Sequence, residues 1–282
     1  MSVSEPGLPS VILPVYNAPD ELNGCLASLH QTLPSGTEVL IIDDASTDNE
    51  TRRVLGKWHM QADKRWQFLA NSHNLGFVAT VNRGMQMTRG DVVLLNSDTE
   101  VTSGWLQGIQ RCLDSDSTIA TATPWTNNGE IASLPIFCRD NPVPDDREGV
   151  ARVIARTGKP SYPDLPTAVG FCMAISRRAI EQLGLFDQQA FGRGYGEEND
   201  FSMRARNAGL RNVLCDDVYI VHLGNRSFGP LGLKPDDAAM QRLLSLHPDY
   251  LSQVQQFILA DPLAARRKEL LAALGDASFA MG

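Results

Sequence analysis

The feature that most constrains the fold is a series of four short apolar runs in the first part of the chain. Their length and composition favour buried strands over helices. Segments with apolar residues at helical spacing follow the runs, and this alternation predicts a mostly parallel sheet joined by right-handed crossovers. The predicted strands are residues 10–15, 38–42, 66–70 and 92–95. The predicted helices are residues 20–31, 48–61, 75–87 and 104–113, and Asp48 is the expected N-cap of the second.

Polar side chains stand where three of these strands end. Parallel sheets bind ligands beyond the carboxyl ends of their strands, where the strand order reverses. If the second and third strands lie on one side of the first and the fourth lies on the other, the crevice falls between the first and fourth strands. The residues that would converge on this nucleotide-sized crevice are Tyr16, Asn17, Asp43, Asp44, Asn96, Ser97 and Asp98.

The fourth strand ends in an amide, a hydroxyl and a carboxylate, at Asn96, Ser97 and Asp98. Oxygen ligands of this kind suit a hard divalent cation that is held by few protein groups, with substrate phosphates supplying the rest. A polar turn between strand and loop accounts for the same residues without a ligand. The segment alone leaves both interpretations open.

Motif content argues against several nucleotide-binding classes. The chain has no Walker A sequence and no Gly-x-Gly-x-x-Gly after the first strand, as P-loop enzymes and dinucleotide folds require. A phosphatase with Asp-x-Asp after a strand is a closer competitor. However, Asp43 and Asp44 are adjacent and point to opposite sides, and the fourth strand ends in Asn-x-Asp.

Charge and cysteine usage narrow the setting. The formal net charge of −8 over 282 residues disfavours nucleic acid as a partner, and 43% of the residues are hydrophobic, which is enough for a large core. No apolar run is long enough to span a membrane, and residues 1–9 show no signal pattern. Five scattered cysteines without Cys-x-x-Cys are typical of a reducing compartment, so we expect a cytoplasmic protein.

The middle of the chain, residues 124–166, is rich in proline and weak in periodicity, with one predicted helix at 146–156. Long loops in a compact domain are usually functional, so we interpret this segment as the side that receives the second substrate. Trp125 is a candidate stacking surface there, and an ordinary half-buried aromatic is the alternative. A buried strand at 167–176 and a helix at 177–183 are expected next.

A glycine-rich loop at 191–196 leads into a helix whose first turn holds Glu197, Glu198 and Asp200. The helix dipole stabilises acids in a first turn, but three carboxylates in four positions exceed that need. Their repulsion can raise the pKa of one of them to a value that suits a general base. We therefore predict that one of the three is catalytic.

Short strands are predicted at 213–215 and 219–221, and the second delivers His222 at its end; a structural histidine is the alternative to a ligand. From Pro235 the chain is predicted to be helical. The last predicted helix, 262–274, carries Arg266, Arg267 and Lys268 on one face. Such a face can contact an anionic membrane surface, and a packed terminal helix with a solvated face is the alternative.

Five segments, in order and spacing, resemble glycosyltransferase family 2, whose members have the GT-A fold. The resemblance covers about residues 10–230. The matching segments are Val11-Ile12-Leu13-Pro14-Val15-Tyr16-Asn17, Val39 to Asp48 with Asp43-Asp44, Asn74-Leu75-Gly76-Phe77 with Asn82, Asn96-Ser97-Asp98, and Gly196-Glu197-Glu198-Asn199-Asp200.

The resemblance implies a role for each matching residue. Glu198 takes the place of the general base, with Asp200 next in line, while Asp98 and His222 match the metal site. Asn96 stands where many relatives have an aspartate, which removes one charge from that site. The residues implied on the nucleotide-sugar side are Pro14, Tyr16, Asn17, Asp43, Asp44, Asn74, Gly76, Asn82, Asn96 and Ser97. We place Trp125, Glu197 and Arg226 on the acceptor side.

The expected protein is thus an inverting glycosyltransferase assisted by Mg²⁺ or Mn²⁺, with a dTDP- or UDP-sugar donor and a glycan or lipid-linked saccharide acceptor. The motif variants look most like bacterial rhamnosyltransferase-type members. The expected organisation is an α/β GT-A domain over residues 1–230, with a nucleotide-binding half at 10–123 and an acceptor-side half at 124–230, followed by a C-terminal helical extension at 231–282. A non-catalytic nucleotide-sugar-binding module and a phosphate-ester hydrolase are the alternatives.

Overall fold

The computed structural model describes residues 7–192, 194–224 and 237–275. Its first part alternates strands and helices as the sequence predicts, and Asp48 caps α2 by accepting a hydrogen bond from the backbone N–H of Glu50. The elements are β1 (Ser10–Val15), α1 (Pro19–Thr32), β2 (Val39–Asp43), α2 (Asn49–Gln61), β3 (Trp66–Ala70), α3 (Phe77–Met87) and β4 (Val92–Leu95).

The second part is less regular. Its elements are β5 (Thr99–Glu100), α4 (Trp105–Ser115), β6 (Ile119–Trp125), a 3-10 turn (Glu130–Ala132), α5 (Arg147–Arg156), β7 (Cys172–Ile175), α6 (Arg177–Leu183), α7 (Gln188–Phe191), α8 (Glu197–Asn207), β8 (Arg211–Tyr219) and β9 (Val221–His222). Three helices follow: α9 (Asp237–Leu246), α10 (Tyr250–Ala260) and α11 (Ala264–Leu274).

Within the described residues, seven strands form one sheet in the order β3-β2-β1-β4-β7-β6-β8. The predicted placement of β2 and β3 on one side of β1, with β4 on the other, is confirmed. The strand predicted at 167–176 is shorter than expected, and it runs antiparallel to both of its neighbours, β4 and β6. The two strands predicted at 213–215 and 219–221 are instead one long strand, β8, and the short β9. Both predicted halves of the domain therefore contribute to a single sheet.

Alternate residues of the central strands supply two apolar layers, one on each face of the sheet. Val11 and Leu13 of β1 face the layer that includes α1 and α4, while Ile12 faces the layer that includes α3 and α8. Gly84 lets α3 approach the strand closely, because a Cβ at that position would lie 2.6 Å from Cγ2 of Ile12. The packed sheet holds the carboxyl ends of β1, β2 and β4 at fixed positions.

The C-terminal helices pack on the domain through buried leucines, with Leu243 of α9 in the α8 layer and Leu270 of α11 beside α5. The predicted basic face of the last helix is not free. Arg266 pairs with the buried Asp216, with 3.0 Å between Nε and Oδ2, and the guanidinium of Arg267 pairs with Asp261. In the described part of the chain, no helix is both long enough and apolar enough to span a bilayer.

Candidate active site

The carboxyl ends of β1, β2 and β3 lie side by side, since Val15 pairs with Asp43 and Asp43 pairs with Ala70. Asp43 Oδ1 accepts a hydrogen bond of 2.9 Å from the backbone N–H of Ser46. Its side chain is half-buried, and it also lines a cavity of about 450 Å³ between α2 and the edge of the sheet. Asp43 therefore remains accessible to a ligand.

Asp44, predicted to contact the base or ribose, has a structural role in the loop before α3. Its carboxylate is buried and accepts three hydrogen bonds, from the Asn71 side-chain amide at 2.8 Å and from the backbone N–H groups of Leu75 at 2.7 Å and Gly76 at 2.8 Å. These bonds hold the loop, so Asp44 is a weaker candidate for a nucleotide contact than Asp43.

Asn17 likewise holds a neighbouring loop. Its Oδ1 accepts hydrogen bonds from the backbone N–H groups of Thr47 at 3.0 Å and Asp48 at 3.1 Å, and its own N–H donates to Ser46 Oγ at 2.9 Å. A positive φ of 57° at Asn17 turns the chain towards that loop. Asn17 thus links the ends of β1 and β2 and lies half-buried at the edge of the crevice.

Two other predicted site residues belong to the interior. The Asn82 side chain, predicted in the nucleotide pocket, exchanges two hydrogen bonds with the backbone of Phe186, at 2.9 and 3.1 Å. Trp125, predicted as an acceptor-stacking surface, continues β6 and is fully buried, so its ring is part of the core. The other residues predicted to bind the nucleotide sugar lie near the crevice: Pro14, Tyr16, Asn74 and Asn96 are half-buried, while Gly76 and Ser97 are buried.

A two-stranded ribbon brings Asp98 and His222 together. β5 pairs antiparallel with β9, and the backbone N–H of Leu223 donates to the carbonyl of Asp98 at 2.9 Å. The Asp98 Oδ2 and His222 Nε2 atoms lie 3.6 Å apart, which is too long for a hydrogen bond. Sequence reasoning paired these two residues only through the family resemblance, since neither two-residue strand has a local signature.

Several groups fix the His222 ring. Asn127 exchanges two hydrogen bonds with the backbone of His222, the Asn128 carbonyl contacts Nδ1, and the Phe171 ring stacks on the imidazole at 5.2 Å between centroids. Burial by itself would lower the pKa of His222, but its interaction with Asp98 outweighs burial and raises the pKa. Its Nε2 atom is therefore held towards Asp98. Sequence reasoning missed Asn127, Asn128 and Phe171 as supports, although the Asn-Asn pair in an irregular segment is an available signal.

Glu198 is linked to this pair through Gly170 and Phe171. Its Cδ would be 3.8 Å from a Cβ on Gly170, and the next residue, Phe171, stacks on His222. Gly170 therefore connects the predicted base and the predicted cation ligands through two contacts. Burial of the carboxyl and the nearby charge of Glu130 hold the pKa of Glu198 above its usual value.

The other two acids of α8 are more deeply buried than Glu198. The Glu197 residue is 5% exposed, and its Oε2 has no hydrogen-bond partner among the described residues. Burial together with the charge of Glu198 raises the pKa of Glu197 well above the usual value. Asp200, predicted as a second candidate base, is buried, and its two oxygens contact Arg204 Nε and His247 Nε2, each at 2.8 Å. Arg226, predicted on the acceptor side, falls outside the described residues.

The Asp98–His222 pair fits a divalent cation as two of its ligands. Two donor atoms about 2.1 Å from one ion, at an angle between square and tetrahedral, lie roughly 3.0–3.4 Å apart. The observed 3.6 Å corresponds to a wider angle, about 120°, at the same bond length. In the described ranges no cluster of three His, Cys, Asp or Glu side chains could hold an ion by itself. The site therefore suits an ion whose remaining ligands come from a bound diphosphate or from water.

Comparison with known proteins identifies the family of the chain. The model of glycosyl transferase family 2 matches residues 10–184. The uncharacterized glycosyltransferase YibD of Escherichia coli is 33% identical over 93 residues, which is 33% of this chain and 26% of that protein. The low-salt glycan biosynthesis hexosyltransferase Agl10 of Haloferax volcanii is 22% identical over 221 residues, which is 76% of this chain and 66% of that protein. The matches to the first curated relatives span only about a quarter to two fifths of their length.

Solved structures share the fold over nearly the whole chain. GalNAc-T7 with UDP, GalNAc and Mn²⁺ superposes with a TM-score of 0.65 and 16% identity, covering 94% of this chain and 54% of that one. The mannosyltransferase PcManGT of Pyrobaculum calidifontis, in complex with GDP-Man and Mn²⁺, gives a TM-score of 0.57 at 17% identity, covering 99% and 79%. The predicted GT-A fold is confirmed.

Proposed function

This chain belongs to glycosyl transferase family 2, and we propose that it is an inverting glycosyltransferase that moves a sugar from a nucleoside diphosphate to an acceptor hydroxyl. The observation that carries the proposal is the placement of Glu198. Its carboxyl lies against Gly170, while the adjacent Phe171 stacks on His222, which faces Asp98. These contacts support our proposal that a proton acceptor and a pair of cation ligands serve one site, as a single displacement at a sugar carbon needs.

In this reaction Glu198 takes the proton of the acceptor hydroxyl as the oxygen attacks C1 of the sugar. The bond between C1 and the diphosphate oxygen breaks, and the nucleoside diphosphate leaves with the bonding electrons. An alkyl hydroxyl has a pKa far above 7, so a base in contact with it lowers the barrier. With a base on the opposite face from the diphosphate and no protein nucleophile, the configuration at C1 inverts.

Asp98 and His222 would hold Mg²⁺ or Mn²⁺ against the diphosphate. A cation there neutralises the charge that develops on the leaving group. GalNAc-T7 and PcManGT both have Mn²⁺ in their complexes, which supports this part of the proposal. Asn96 supplies an amide oxygen where a second carboxylate would bind more tightly, so the cation is expected to depend strongly on the bound diphosphate.

Asp43 and Tyr16 are the remaining candidates for contacts with the base and ribose, because Asp44 and Asn17 hold loops. The solved neighbours bind UDP, UDP-GlcNAc and GDP-Man, and for this chain we propose a dTDP- or UDP-sugar, with dTDP-rhamnose as one candidate. The proposed acceptor is a glycan or lipid-linked saccharide. Glu197 is proposed to face that side of the reaction centre.

A thermal-shift panel of nucleoside diphosphates, with and without Mn²⁺, tests the proposal. A ligand at 100 times its Kd stabilises by about 2.7 kcal/mol, which corresponds to roughly 5–10 °C for a chain of this size. We expect such a shift for dTDP or UDP with Mn²⁺, and a much smaller one without Mn²⁺ or with Asp98→Ala. No shift with any nucleoside diphosphate would contradict the proposal. Binding without release of nucleoside diphosphate from any sugar donor would favour a non-catalytic module.

A further inference from the structure

We propose that His247, in the C-terminal helical extension, is a positioning residue that holds α8 and thereby aims Glu198. This inference rests on the proposed function, since it concerns the base of that reaction. Nothing in the family match covers the extension, because the matched segment ends at residue 184.

The contact itself is buried and specific. His247 follows α9, and its Nε2 lies 2.8 Å from Asp200 Oδ1, with side-chain exposures of 8% and 4%. A carboxylate only accepts, so the imidazole donates through Nε2. The backbone fixes His247 on both sides, because its N–H donates to the Leu243 carbonyl at 2.8 Å and its carbonyl accepts from Tyr250 N–H at 3.1 Å. The histidine is therefore a rigid support.

The start of α8 needs such a support. Gly196, at its N-cap position, provides no side-chain hydrogen bond, and the preceding loop has positive φ values at Gly192, Gly194 and Gly196. A helix end without a capping side chain frays readily. Two side chains directly after Glu198 are bound from outside the helix: Asp200 by His247 at 2.8 Å, and Asn199 by the Thr167 hydroxyl at 2.7 Å. The His247 contact is therefore one of two that hold the turn that carries the base, and it is the one that comes from the extension.

Asp200 also contacts a residue one turn further along α8. Its Oδ2 accepts from Arg204 Nε at 2.8 Å, and the same guanidinium donates to the carbonyls of Leu183 and Leu185, at 2.8 and 3.0 Å. α8 is thus tied to the loop after α6 on one side and to the extension on the other. Loss of either tie is expected to let its first turn move.

The extension also packs directly against α8. Tyr250, three residues after His247, is 8% exposed and lies in the same apolar layer as Phe201 of α8. Burial raises the pKa of its phenol, and the charges of Glu198 and Glu130 raise it further. The turn between α9 and α10 is therefore held to α8 by apolar packing as well as by the His247 contact.

The test compares three variants of the full chain. His247→Ala removes the donor, and His247→Gln restores an N–H donor of similar reach. Arg267→Ala is the matched control, because it breaks an ion pair in the same extension, with Asp261, without touching α8. Two quantities are measured: amide hydrogen exchange of the first turn of α8, and kcat and KM for release of nucleoside diphosphate from the donor.

We expect His247→Ala to speed exchange in the first turn of α8 at least tenfold and to lower kcat about 10- to 100-fold, with donor KM changed less than about threefold. His247→Gln should recover most of both losses, and Arg267→Ala should leave both within about twofold. The double variant His247→Ala/Asp200→Asn should have nearly the same kcat as Asp200→Asn alone, because the two residues act through one contact.

Unchanged exchange in α8 would overturn the inference, and so would a loss of kcat that His247→Gln does not reverse. If His247→Ala does not fold, amide exchange in the first turn of α8 is compared between His247→Gln and Asp200→Asn. The inference then requires faster exchange in Asp200→Asn only. Amide exchange is measured without turnover, so a failure of this inference can be told apart from a failure of the proposed function. If the proposed function is wrong, the wild-type chain releases no nucleoside diphosphate, whatever the exchange rates in α8.

Discussion

Replacing Asp44 by Asn tests whether this carboxylate holds the loop before α3. The wild-type group is buried and accepts three N–H donors, from Asn71, Leu75 and Gly76, at 2.7–2.8 Å. An asparagine with its oxygen towards Asn71 and Leu75 presents its own N–H₂ group to the N–H of Gly76. One hydrogen bond is then lost, a donor faces a donor, and the two remaining bonds lose their charge assistance.

The expected cost follows from these contacts. Hydrogen bonds to charged groups contribute about 1.5–3 kcal/mol each, and neutral ones about 0.5–1.5 kcal/mol. Asparagine also avoids the desolvation cost of a buried charge, which offsets part of the loss. We therefore expect the free energy of unfolding to fall by about 2–3 kcal/mol, and the backbone amides of Leu75 and Gly76 to exchange faster.

Urea unfolding at neutral pH, extrapolated to water, measures this loss. Asp43→Asn is the matched control, because Asp43 is half-buried and accepts one N–H, from Ser46, which an asparagine oxygen also accepts. The control should cost less than about 1 kcal/mol. An Asp44→Asn variant within about 0.5 kcal/mol of the wild type, or as stable as the control, would refute the role assigned to this carboxylate.

Three further results are expected. Burial and the charge of Glu130 raise the pKa of Glu198, so Glu130→Gln should move the acid side of the pH profile of kcat/KM to lower pH. An acid side that stays in place or moves to higher pH would contradict Glu198 as the general base. A carboxyl whose folded-state pKa is raised loses its stabilising contribution as pH rises through that pKa. Glu197→Gln should therefore increase the free energy of unfolding, measured with urea, at pH 8 but not at pH 4. An equal effect at both pH values would contradict the raised pKa of Glu197. His222→Ala should weaken nucleoside diphosphate binding at least tenfold with Mn²⁺ and little without it, as calorimetry can measure, whereas equal weakening under both conditions would remove His222 from the cation site.

Local sequence patterns were sufficient for the elements of the first part of the chain. The strand predicted at 66–70 agrees with β3 at both ends, and the predicted helices have the right positions within about two residues. These elements depend on apolar periodicity and on nearby caps such as Asp48, which are encoded within a few residues. The order of β1 to β4 was a condition of the predicted crevice, and the structure meets that condition.

The contacts that build the site were beyond such patterns. The ribbon of β5 and β9, the bonds of Asn127 to the His222 backbone and the His247–Asp200 contact join residues far apart in the chain. Each depends on tertiary packing and leaves no local periodicity. β7 was predicted as a strand, but its antiparallel direction depends on the long connection that precedes it.

Polar residues within motifs do not all have the same role. Asp44, Asn82 and Asp200 each form buried hydrogen bonds that hold the fold. A motif identifies a segment, and only the geometry separates the side chains that support the fold from those left free. Trp125 lies in the core because β6 extends as far as this residue, which the irregular composition of residues 124–166 did not indicate.

The most direct test of the central claim compares the wild-type chain with Glu198→Gln, using the nucleotide sugar whose diphosphate gives the largest thermal shift. The account predicts that the wild type releases nucleoside diphosphate in the presence of Mn²⁺. It also predicts that Glu198→Gln lowers turnover by about 10²–10⁴-fold while the donor Kd stays within about threefold. Equal turnover by the two proteins, or no release by the wild type from any nucleotide sugar, would contradict it.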